Sequence, residues 1–445
     1  MNYIKRALLK LSDQLVFPEK IWHFRENDYT RELIRAIKSG LSGKNSVKIA
    51  VFNHFLDQDL KAMQYAVQNG SLTDISIIPI SIIYAWACFY FPESVTEFTG
   101  YIDPKLNAAK LAFRARLAKT LRQLKNEVPK VTFLAPADQF FWVREFVLAC
   151  KEVGYPFIVL DKEGTRSDDY FKLHTEEIKR YMPPLADYFL VWSQRQVEFH
   201  VMSGCDREKV FIVGQPRSDF WFYQERWQEK NAFFRSLGID PEKKTILYFD
   251  FENNNYIHDN YFRRGFNWDA LLADIHGELY KIAQAHPNVN VLFKLHPQAL
   301  NVDQVRAEIN ALRLTNIHLL TGAELSNDLI VNSDLVIGFQ TTALLDTMLT
   351  AKPVIYAWWG NAPGFKEHLL PFDKNQGIEI ALGRDDFRRR IETHINNKFN
   401  FVLTPVLKTA RRKLTDVFFH QPDGRVGART LAKIAELARE YYNER

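Results

Sequence analysis

Two carboxylates follow short apolar segments and could take part in acid–base or nucleophilic chemistry. Glu163 lies in the turn Lys162-Glu163-Gly164 after the segment FIVL, and Asp250 ends the segment TILYFD. A carboxylate of this kind can act as a general base or acid, and beside a sugar it can serve as nucleophile or stabilise the transition state. Both residues also fit solvated loops with salt bridges, so the residues alone leave their role open.

The segment Lys294-Leu295-His296-Pro297 carries the sharpest signal for phosphate binding. It ends the apolar run NVLFKL, and Pro297 restricts the turn that follows. The imidazole of His296 can donate to a phosphate or polarise a leaving group, and a histidine titrates near neutral pH. With Lys294 two residues earlier on a central strand, we favour a functional role for His296 over a structural one.

A second candidate for anion binding is the segment GQPRSD, which follows the run VFIV. Its arginine, Arg217, could bind a phosphate or an acidic sugar bidentately, next to the amide of Gln215. The alternative is that Arg217 and Asp219 pair with each other and hold a hinge between domains.

A third candidate is the start of a predicted helix after the run DLVI, where Gln340, Thr341 and Thr342 follow one another. Hydroxyl groups and free backbone amides at a helix N-terminus suit a phosphate group. An ordinary helix cap is the alternative for the two threonines. Together with the His296 turn, phosphate binding is the better explanation.

These groups all follow predicted strands. Short β-branched or aromatic runs alternate with helical patterns, which predicts βαβ units and parallel sheets, and ligands gather outside the carboxyl ends of such strands. The turn-rich segment 214–217 separates an N-terminal domain, 1–214, from a C-terminal domain, 215–445, whose final helices could pack back on the first. We expect two Rossmann-like domains that face a cleft. The predicted strands are Val47–Asn53, Ile75–Ile80, Val131–Ala135, Phe157–Leu160, Tyr188–Trp192, Val210–Val213, Thr245–Phe249, Val289–Leu295, Ile317–Leu320, Leu335–Ile337 and Val354–Tyr356. The predicted helices include Pro104–Lys125 and a connecting helix over Asp219–Leu237.

Composition limits the classes of function. The chain has 445 residues, and its net charge of +5 comes from 58 basic and 53 acidic residues without a concentrated basic stripe, which argues against nucleic acid as a partner. The three cysteines, Cys88, Cys150 and Cys205, have no metal-ligand spacing, so neither a zinc site nor a disulfide framework is expected. A reducing cytoplasm fits this composition.

Two segments raise the question of a membrane. The N-terminus, MNYIKRALLKLSDQLVF, is basic and amphipathic but lacks the apolar core of a signal peptide, so we expect no export. Peripheral contact of this segment with the inner membrane is left open. The uncharged stretch Ile75–Phe91 is interrupted by Ser76, Pro79 and Ser81, and we interpret it as a buried strand that continues into a helix.

The motifs resemble those of bacterial surface-carbohydrate glycosyltransferases of the GT-B type, including CDP-glycerol glycerophosphotransferases and Kdo transferases that use cytidine nucleotides. The resemblance covers roughly Phe133 to Tyr442 and depends on short motifs, namely KEG, VWSQRQ, VFIVGQPRSD, KLHP, SDLVIGFQTTALLD and Asp423-Gly424-Arg425. It implies a cytoplasmic enzyme that transfers a sugar from a nucleotide donor, with CMP-Kdo favoured. The acceptor would be a lipid-linked glycan or a surface polysaccharide such as capsule or lipopolysaccharide.

The resemblance also implies residue roles. Glu163 and Asp250 become the catalytic pair, and His296, Thr341 and Thr342 become candidates for the nucleotide site. Together with the candidates taken from the residues themselves, the donor-binding set is Lys162, Gln215, Arg217, Lys294, His296, Pro297, Gln340, Thr341 and Thr342. No convincing DxD motif is present, so neither a metal ion nor a separate cofactor is expected. Three alternatives stay open: a polyol-phosphate transferase with a CDP-activated donor, a nucleotide-sugar epimerase, and a non-catalytic glycan-assembly protein.

Overall fold

The structure is a computed structural model. It describes residues 26–41, 45, 47–68, 70, 73–92, 95, 100–162, 167–251, 268–296, 299, 301–321, 326–374 and 377–443. The chain divides into two compact units. Unit 1 contains the described residues of 1–164, 171–219 and 418–445, and unit 2 contains those of 220–417 together with the short segment 165–170.

Unit 1 is built on a six-stranded sheet whose paired strands are all parallel. Its strands lie in the order β2-β1-β3-β4-β5-β6. Most strand positions are buried, as expected for a parallel sheet with helices on both faces. The strands are β1 (Val47–Phe52), β2 (Thr73–Ile78), β3 (Thr132–Ala135), β4 (Phe157–Leu160), β5 (Tyr188–Val191) and β6 (Val210–Ile212).

Two hydrophobic clusters cover the faces of this sheet. Successive residues of β1 alternate between them, with Val51 in one cluster and Phe52 in the other, because neighbouring side chains of a strand point to opposite faces. The helices are α1 (Glu26–Ser39), α2 (Asp57–Gln68), α3 (Ile80–Ala87), α4 (Asn107–Glu127), α5 (Phe141–Val153), α6 (Asp168–Tyr181) and α7 (Gln194–Met202). A last helix, α15 (Val426–Asn443), returns from the end of the chain and packs against α2.

The approach of α15 to α2 requires a residue without a side chain. A Cβ atom added to Gly427 would lie 2.7 Å from the carbonyl oxygen of Ala62 in α2. The carboxylate of Asp219 holds the same end of α15, since its two oxygens accept the backbone N–H groups of Val426 at 2.9 Å and of Gly427 at 2.7 Å. These bonds satisfy amides that a helix leaves without partners at its start.

Unit 2 is built on a second six-stranded sheet with parallel pairs, in the order β12-β11-β10-β7-β8-β9. Its strands are β7 (Lys244–Phe249), β8 (Val289–Lys294), β9 (Ile317–Leu320), β10 (Leu335–Gly338), β11 (Val354–Ala357) and β12 (Glu379–Ala381). Its helices are α8 (Lys230–Ser236), α9 (Asp269–Ala285), α10 (Val302–Leu312), α11 (Ser326–Asn332), α12 (Ala343–Thr347), α13 (Arg384–Asn396) and α14 (Pro405–Phe419), the last of which ends in residues of unit 1.

The predicted α/β architecture of two Rossmann-like sheets is confirmed. Every predicted strand is present, with ends that differ by no more than two residues, and Ile75–Phe91 does contain a strand followed by a helix. No helix among the described residues is both long and apolar enough to cross a membrane. The predicted connecting helix over Asp219–Leu237 is wrong. The segment forms two short 3-10 helices before α8, because aromatic side chains such as Trp227, whose indole N–H donates to the carbonyl of Phe220, fold it into tight turns.

In each sheet the strand order reverses at one place, which we call the switch point of that unit. In unit 2 it lies between β7 and β10, and in unit 1 it lies between β1 and β3. The loops that follow those strands separate there and leave a crevice at the carboxyl edge of the sheet. A ligand of either unit is therefore expected at the residues that follow these strands.

Candidate functional site

The switch point of unit 2 brings several of the predicted site residues to one edge. Asp250 follows β7, Gln340 and Thr341 follow β10, and His296 follows β8, which is the neighbour of β7. The backbone N–H of Asp250 donates to the carbonyl of Lys294 at 3.0 Å, so the ends of β7 and β8 are joined. Groups that are far apart in the sequence thus share one sheet edge.

Asp250 is almost completely buried and held in a fixed position. Its Oδ1 accepts from the hydroxyl of Tyr248 and from the backbone N–H of Phe251, both at 2.9 Å. The Nε2 atom of His276, on α9, lies 3.5 Å from the same oxygen, which is too long for a good hydrogen bond. Burial and the adjacent carboxylate raise the pKa of Tyr248 well above its usual value, so this hydroxyl remains a donor. The arrangement suits Asp250 to orient or electrostatically support a neighbouring group.

His296 is such a neighbour. Burial lowers the pKa of His296 below its usual value, the charge of Asp250 opposes that shift, and the charge of Lys294 adds to it. The three groups therefore lie close enough to influence one another. A neutral imidazole can both donate and accept a hydrogen bond, while the ammonium of Lys294 supplies positive charge from a side chain that is 7% exposed. This combination suits a phosphate that gains charge during a reaction.

Gln340 has a structural role in this edge. Its Nε2 donates to the hydroxyl of Tyr356 at 2.6 Å and to the carbonyl of Leu370 at 3.3 Å, and its Oε1 accepts the backbone N–H of Leu370 at 2.7 Å. Its backbone has a φ of 48°, in the left-handed region. The side-chain amide thus ties the loop after β10 to residue 370, and its contribution to a ligand would come from the backbone that it positions.

The side chains of the two threonines that follow make fewer hydrogen bonds than the side chain of Gln340. Thr341 Oγ1 accepts the backbone N–H of Ala343 at 3.3 Å, and the exposed Thr342 precedes α12 without a side-chain capping bond. Because α12 has only five residues, its dipole is weak, and phosphate binding would depend on hydroxyl and backbone N–H groups. The residue before Gln340, Phe339, is buried and packs against Phe251, with 4.8 Å between the ring centroids.

Three residues that the sequence assigns to the donor lie in unit 1. Lys162 follows β4, and Gln215 and Arg217 follow β6. The guanidinium of Arg217 lies over the ring of Trp192, 4.8 Å from its centroid. In the amide orientation that the surroundings favour, the oxygen of the fully buried Gln215 accepts from Nε and Nη2 of Arg217, both at 3.2 Å. Asp219 beside them holds the start of α15.

His54, which was not among the predicted site residues, lies at the switch point of unit 1 shortly after β1. Its ring contacts those of Phe55, Phe140 and Trp142, with centroid distances of 3.6, 5.4 and 5.6 Å. Burial, with a smaller effect of the Lys162 charge, lowers the pKa of His54 to about 4, so the imidazole is neutral at physiological pH. The signal was available, because β1 was predicted and polar residues after a parallel strand are candidates for a site.

Glu163 and Pro297 lie outside the described residues, so their assigned roles stay predictions. Within the described part of the chain, no group of three or more His, Cys, Asp or Glu side chains could hold a metal ion.

Solved structures with the same fold include nucleotide complexes and a polymerase of wall teichoic acid. The wall teichoic acid polymerase TagF is 10% identical, with a TM-score of 0.53, and 99% of each chain is covered. The UDP-GlcNAc 2-epimerase of Neisseria meningitidis bound to UDP-GlcNAc is 12% identical, with a TM-score of 0.53, over 88% of this chain and 99% of that one. The MnaA–UDP structure of S. aureus is 12% identical, with a TM-score of 0.51, over 88% and 97%. These likenesses show the GT-B-like fold.

The fold and the family match together define a glycosyltransferase-type enzyme of the GT-B class. The family model that matches is that of CDP-glycerol:poly(glycerophosphate) glycerophosphotransferase, over residues 158–367. No curated protein sequence matches the chain. The matched range includes Lys162, Arg217, Asp250 and His296. At this level the chain is a transferase that uses a nucleotide-activated glycosyl or polyol-phosphate group.

Proposed function

We propose that the chain transfers a polyol phosphate from a CDP-activated donor to a hydroxyl of a growing polymer. The family match over residues 158–367 carries this proposal. The switch point of unit 2 supports it, since Lys294, His296 and the backbone after β10 offer positive charge and hydrogen-bond donors where a phosphate would lie. The favoured donor therefore changes from CMP-Kdo, which depends on short sequence motifs alone, to a CDP-polyol.

The reaction follows from the chemistry of such a donor. An acceptor hydroxyl attacks the phosphorus of the polyol phosphate, the new P–O bond forms, and the P–O bond to the cytidylate breaks. CMP leaves with the electron pair of that bond, and the hydroxyl proton passes to a base. Charge grows on the departing phosphate, so fixed cations and donors accelerate the step.

We assign the stabilisation of the leaving group to residues at the switch point of unit 2. Lys294 and His296 stabilise the departing CMP, helped by the hydroxyls of Thr341 and Thr342. Asp250, which accepts two hydrogen bonds and is fixed by them, positions His296 electrostatically.

The base that accepts the hydroxyl proton is assigned to Glu163. A carboxylate in the loop after a parallel strand can act in this way, and Glu163 follows β4 in the sequence. Glu163→Gln is therefore expected to slow transfer while leaving the affinity for the donor nucleotide unchanged.

Product analysis tests the proposal. The chain is incubated with CDP-glycerol and a glycerol phosphate oligomer, and the products are measured by mass spectrometry and ³¹P NMR. We expect release of CMP and an acceptor that gains one glycerol phosphate. Parallel incubations replace CDP-glycerol with CMP-Kdo or with UDP-GlcNAc. If CMP-Kdo is consumed instead and the acceptor gains a sugar without phosphorus, the glycosyl-transfer alternative is correct. Conversion of a nucleotide sugar without any acceptor would identify an epimerase.

A matched pair of histidine variants tests the site. His296→Gln is expected to lower turnover about 100-fold, because it removes a group that stabilises charge on the leaving phosphate. His318→Gln is the control, since His318 lies near the start of β9 and burial lowers its pKa in the same direction. Equal losses in the two variants would show that His296 has no special role.

A further inference from the structure

The carboxyl edge of the unit 1 sheet carries two cations that the reaction assigned to unit 2 does not use. Lys162 follows β4 and Arg217 follows β6. Both charges act on the buried carboxyl of Asp59, on α2, and tend to lower its pKa. The three groups are therefore near one another, although 158 residues separate Asp59 from Arg217 in the sequence.

The guanidinium of Arg217 is held by neutral groups. The ring of Trp192 lies against one face, and the amide oxygen of Gln215 accepts from Nε and Nη2. None of the ion pairs between described residues includes the Arg217 side chain. An arginine with a fixed orientation is well suited to bind a phosphate with two parallel hydrogen bonds.

Asp59 holds the backbone of this arginine. Its Oδ1 accepts the backbone N–H of Arg217 at 3.0 Å, and its Oδ2 is buried without a hydrogen-bond partner among the described residues. Burial raises the pKa of Asp59 above its usual value, against the effect of the two cations.

An exposed aromatic ring lies beside the second cation. Phe55 is 51% exposed, and its backbone φ of 59° is in the left-handed region that a bulky residue rarely adopts. The ammonium of Lys162 lies 3.6 Å from the centroid of this ring, and the neutral ring of His54 contacts the same phenyl group, with 3.6 Å between the centroids. Strained residues of this kind concentrate where a ligand is bound.

We propose that unit 1 has its own phosphate-binding site, formed by Arg217 and Lys162, and that it binds the terminal phosphodiester of the acceptor polymer. The identity of the occupant rests on the proposed function, in which both substrates carry phosphate. The exposed face of Phe55 suits the C–H groups of the adjoining polyol. Asp59 and Gln215 act as positioning residues for Arg217.

Binding measurements on the whole chain test the proposal. CDP probes the donor, a tri(glycerol phosphate) oligomer probes the acceptor, and both are titrated by calorimetry. Arg217→Gln is expected to weaken binding of the oligomer about tenfold or more, since it removes a charge-assisted pair of hydrogen bonds, and to leave CDP affinity unchanged. Lys162→Gln is expected to act in the same direction. In steady-state assays KM rises for the acceptor and not for the donor.

Arg180→Gln is the matched control. Arg180 also belongs to unit 1 and lies over an aromatic ring, 4.9 Å from the centroid of Tyr181, but it lies near the end of α6. An equal loss of oligomer binding in this variant would show a general effect of charge and overturn the proposal. Weaker binding of CDP in Arg217→Gln would also overturn it, because Arg217 would then serve the donor.

Two further outcomes separate this inference from the proposed function. If the chain binds the oligomer through Arg217 but neither binds CDP nor transfers glycerol phosphate, the proposed function fails and the phosphate site stands. If transfer occurs and Arg217→Gln leaves oligomer binding unchanged, the inference fails and the proposed function stands. Circular dichroism of each variant confirms that the comparison is made between folded proteins.

Discussion

The substitution Gly427→Ala tests the packing of the last helix on unit 1. The added Cβ atom would meet the backbone of Ala62, 2.7 Å from its oxygen and 2.9 Å from its carbonyl carbon. Neither atom is the end of a flexible side chain, so α15 must move away from α2. Overpacking of this kind costs about 1–3 kcal/mol of the free energy of unfolding.

A second glycine serves as the control. Gly277 lies inside α9, and a Cβ atom placed there would have no neighbour within 4 Å. Gly277→Ala should therefore stabilise unit 2 by about 0.5–1 kcal/mol, because glycine inside a helix is less favourable than alanine. The same substitution thus has opposite effects at the two positions.

Differential scanning calorimetry measures both effects. Each kcal/mol shifts the melting temperature of a domain of this size by about 2–4 °C. We expect Gly427→Ala to lower one transition by about 2–12 °C and Gly277→Ala to raise a transition by about 1–4 °C. A Gly427→Ala protein that melts at or above the temperature of the unaltered chain would refute the argument for close packing at this glycine.

Three further predictions concern single side chains. Because burial raises the pKa of Asp219 to about 6, its contribution to stability is greatest at low pH and is lost as the pH rises through 6. Denaturation measured from pH 4.5 to 7 should therefore show the unaltered protein losing up to about 2 kcal/mol relative to Asp219→Asn, and parallel pH curves would contradict this. Gln340→Ala removes the bonds to Tyr356 and Leu370, so it should lower the melting temperature as well as donor affinity, and loss of affinity alone would show direct contact with the donor. His54→Phe should leave CDP binding intact, and a change in CDP affinity measured by calorimetry would place His54 in the donor site.

The sequence was sufficient to predict eleven of the twelve strands that the structure describes. Parallel strands buried on both faces are continuous apolar runs, and runs such as FIVL and NVLFKL mark β4 and β8 to within a residue. Strand β12 was missed because its three residues, Glu379–Ala381, form no apolar run, whereas the equally short β6 has the apolar sequence VFI. Local pattern therefore identifies strands with a continuous apolar run better than a short strand that begins with a charged residue.

The environment of the site residues could not be predicted in the same way. Gln340 is an ordinary polar residue after a strand until its bonds to Leu370, 30 residues later, are known. Arg217 depends on Asp59, which is 158 residues earlier. Pairs of this kind leave no periodic signal in the sequence, because the fold alone decides which distant residues meet. Strand-end position therefore locates the edge of a site, and only tertiary contacts show which side chains remain available to a ligand.

The bonds between Asp219 and α15 also limit the order in which this protein can fold during synthesis. The N–H groups that donate to Asp219 belong to Val426 and Gly427, which follow it in the sequence by 207 and 208 positions. The whole of the unit 2 sheet lies in between. A ribosome that adds about 5–20 residues per second needs roughly 10–40 s to cross that interval. During this time the apolar surface that Leu431 and Ile434 later cover has no native partner. Unit 2 can thus form before the packing of unit 1 is complete, and until α15 emerges the uncovered apolar surface of unit 1 is a site at which nascent chains can associate.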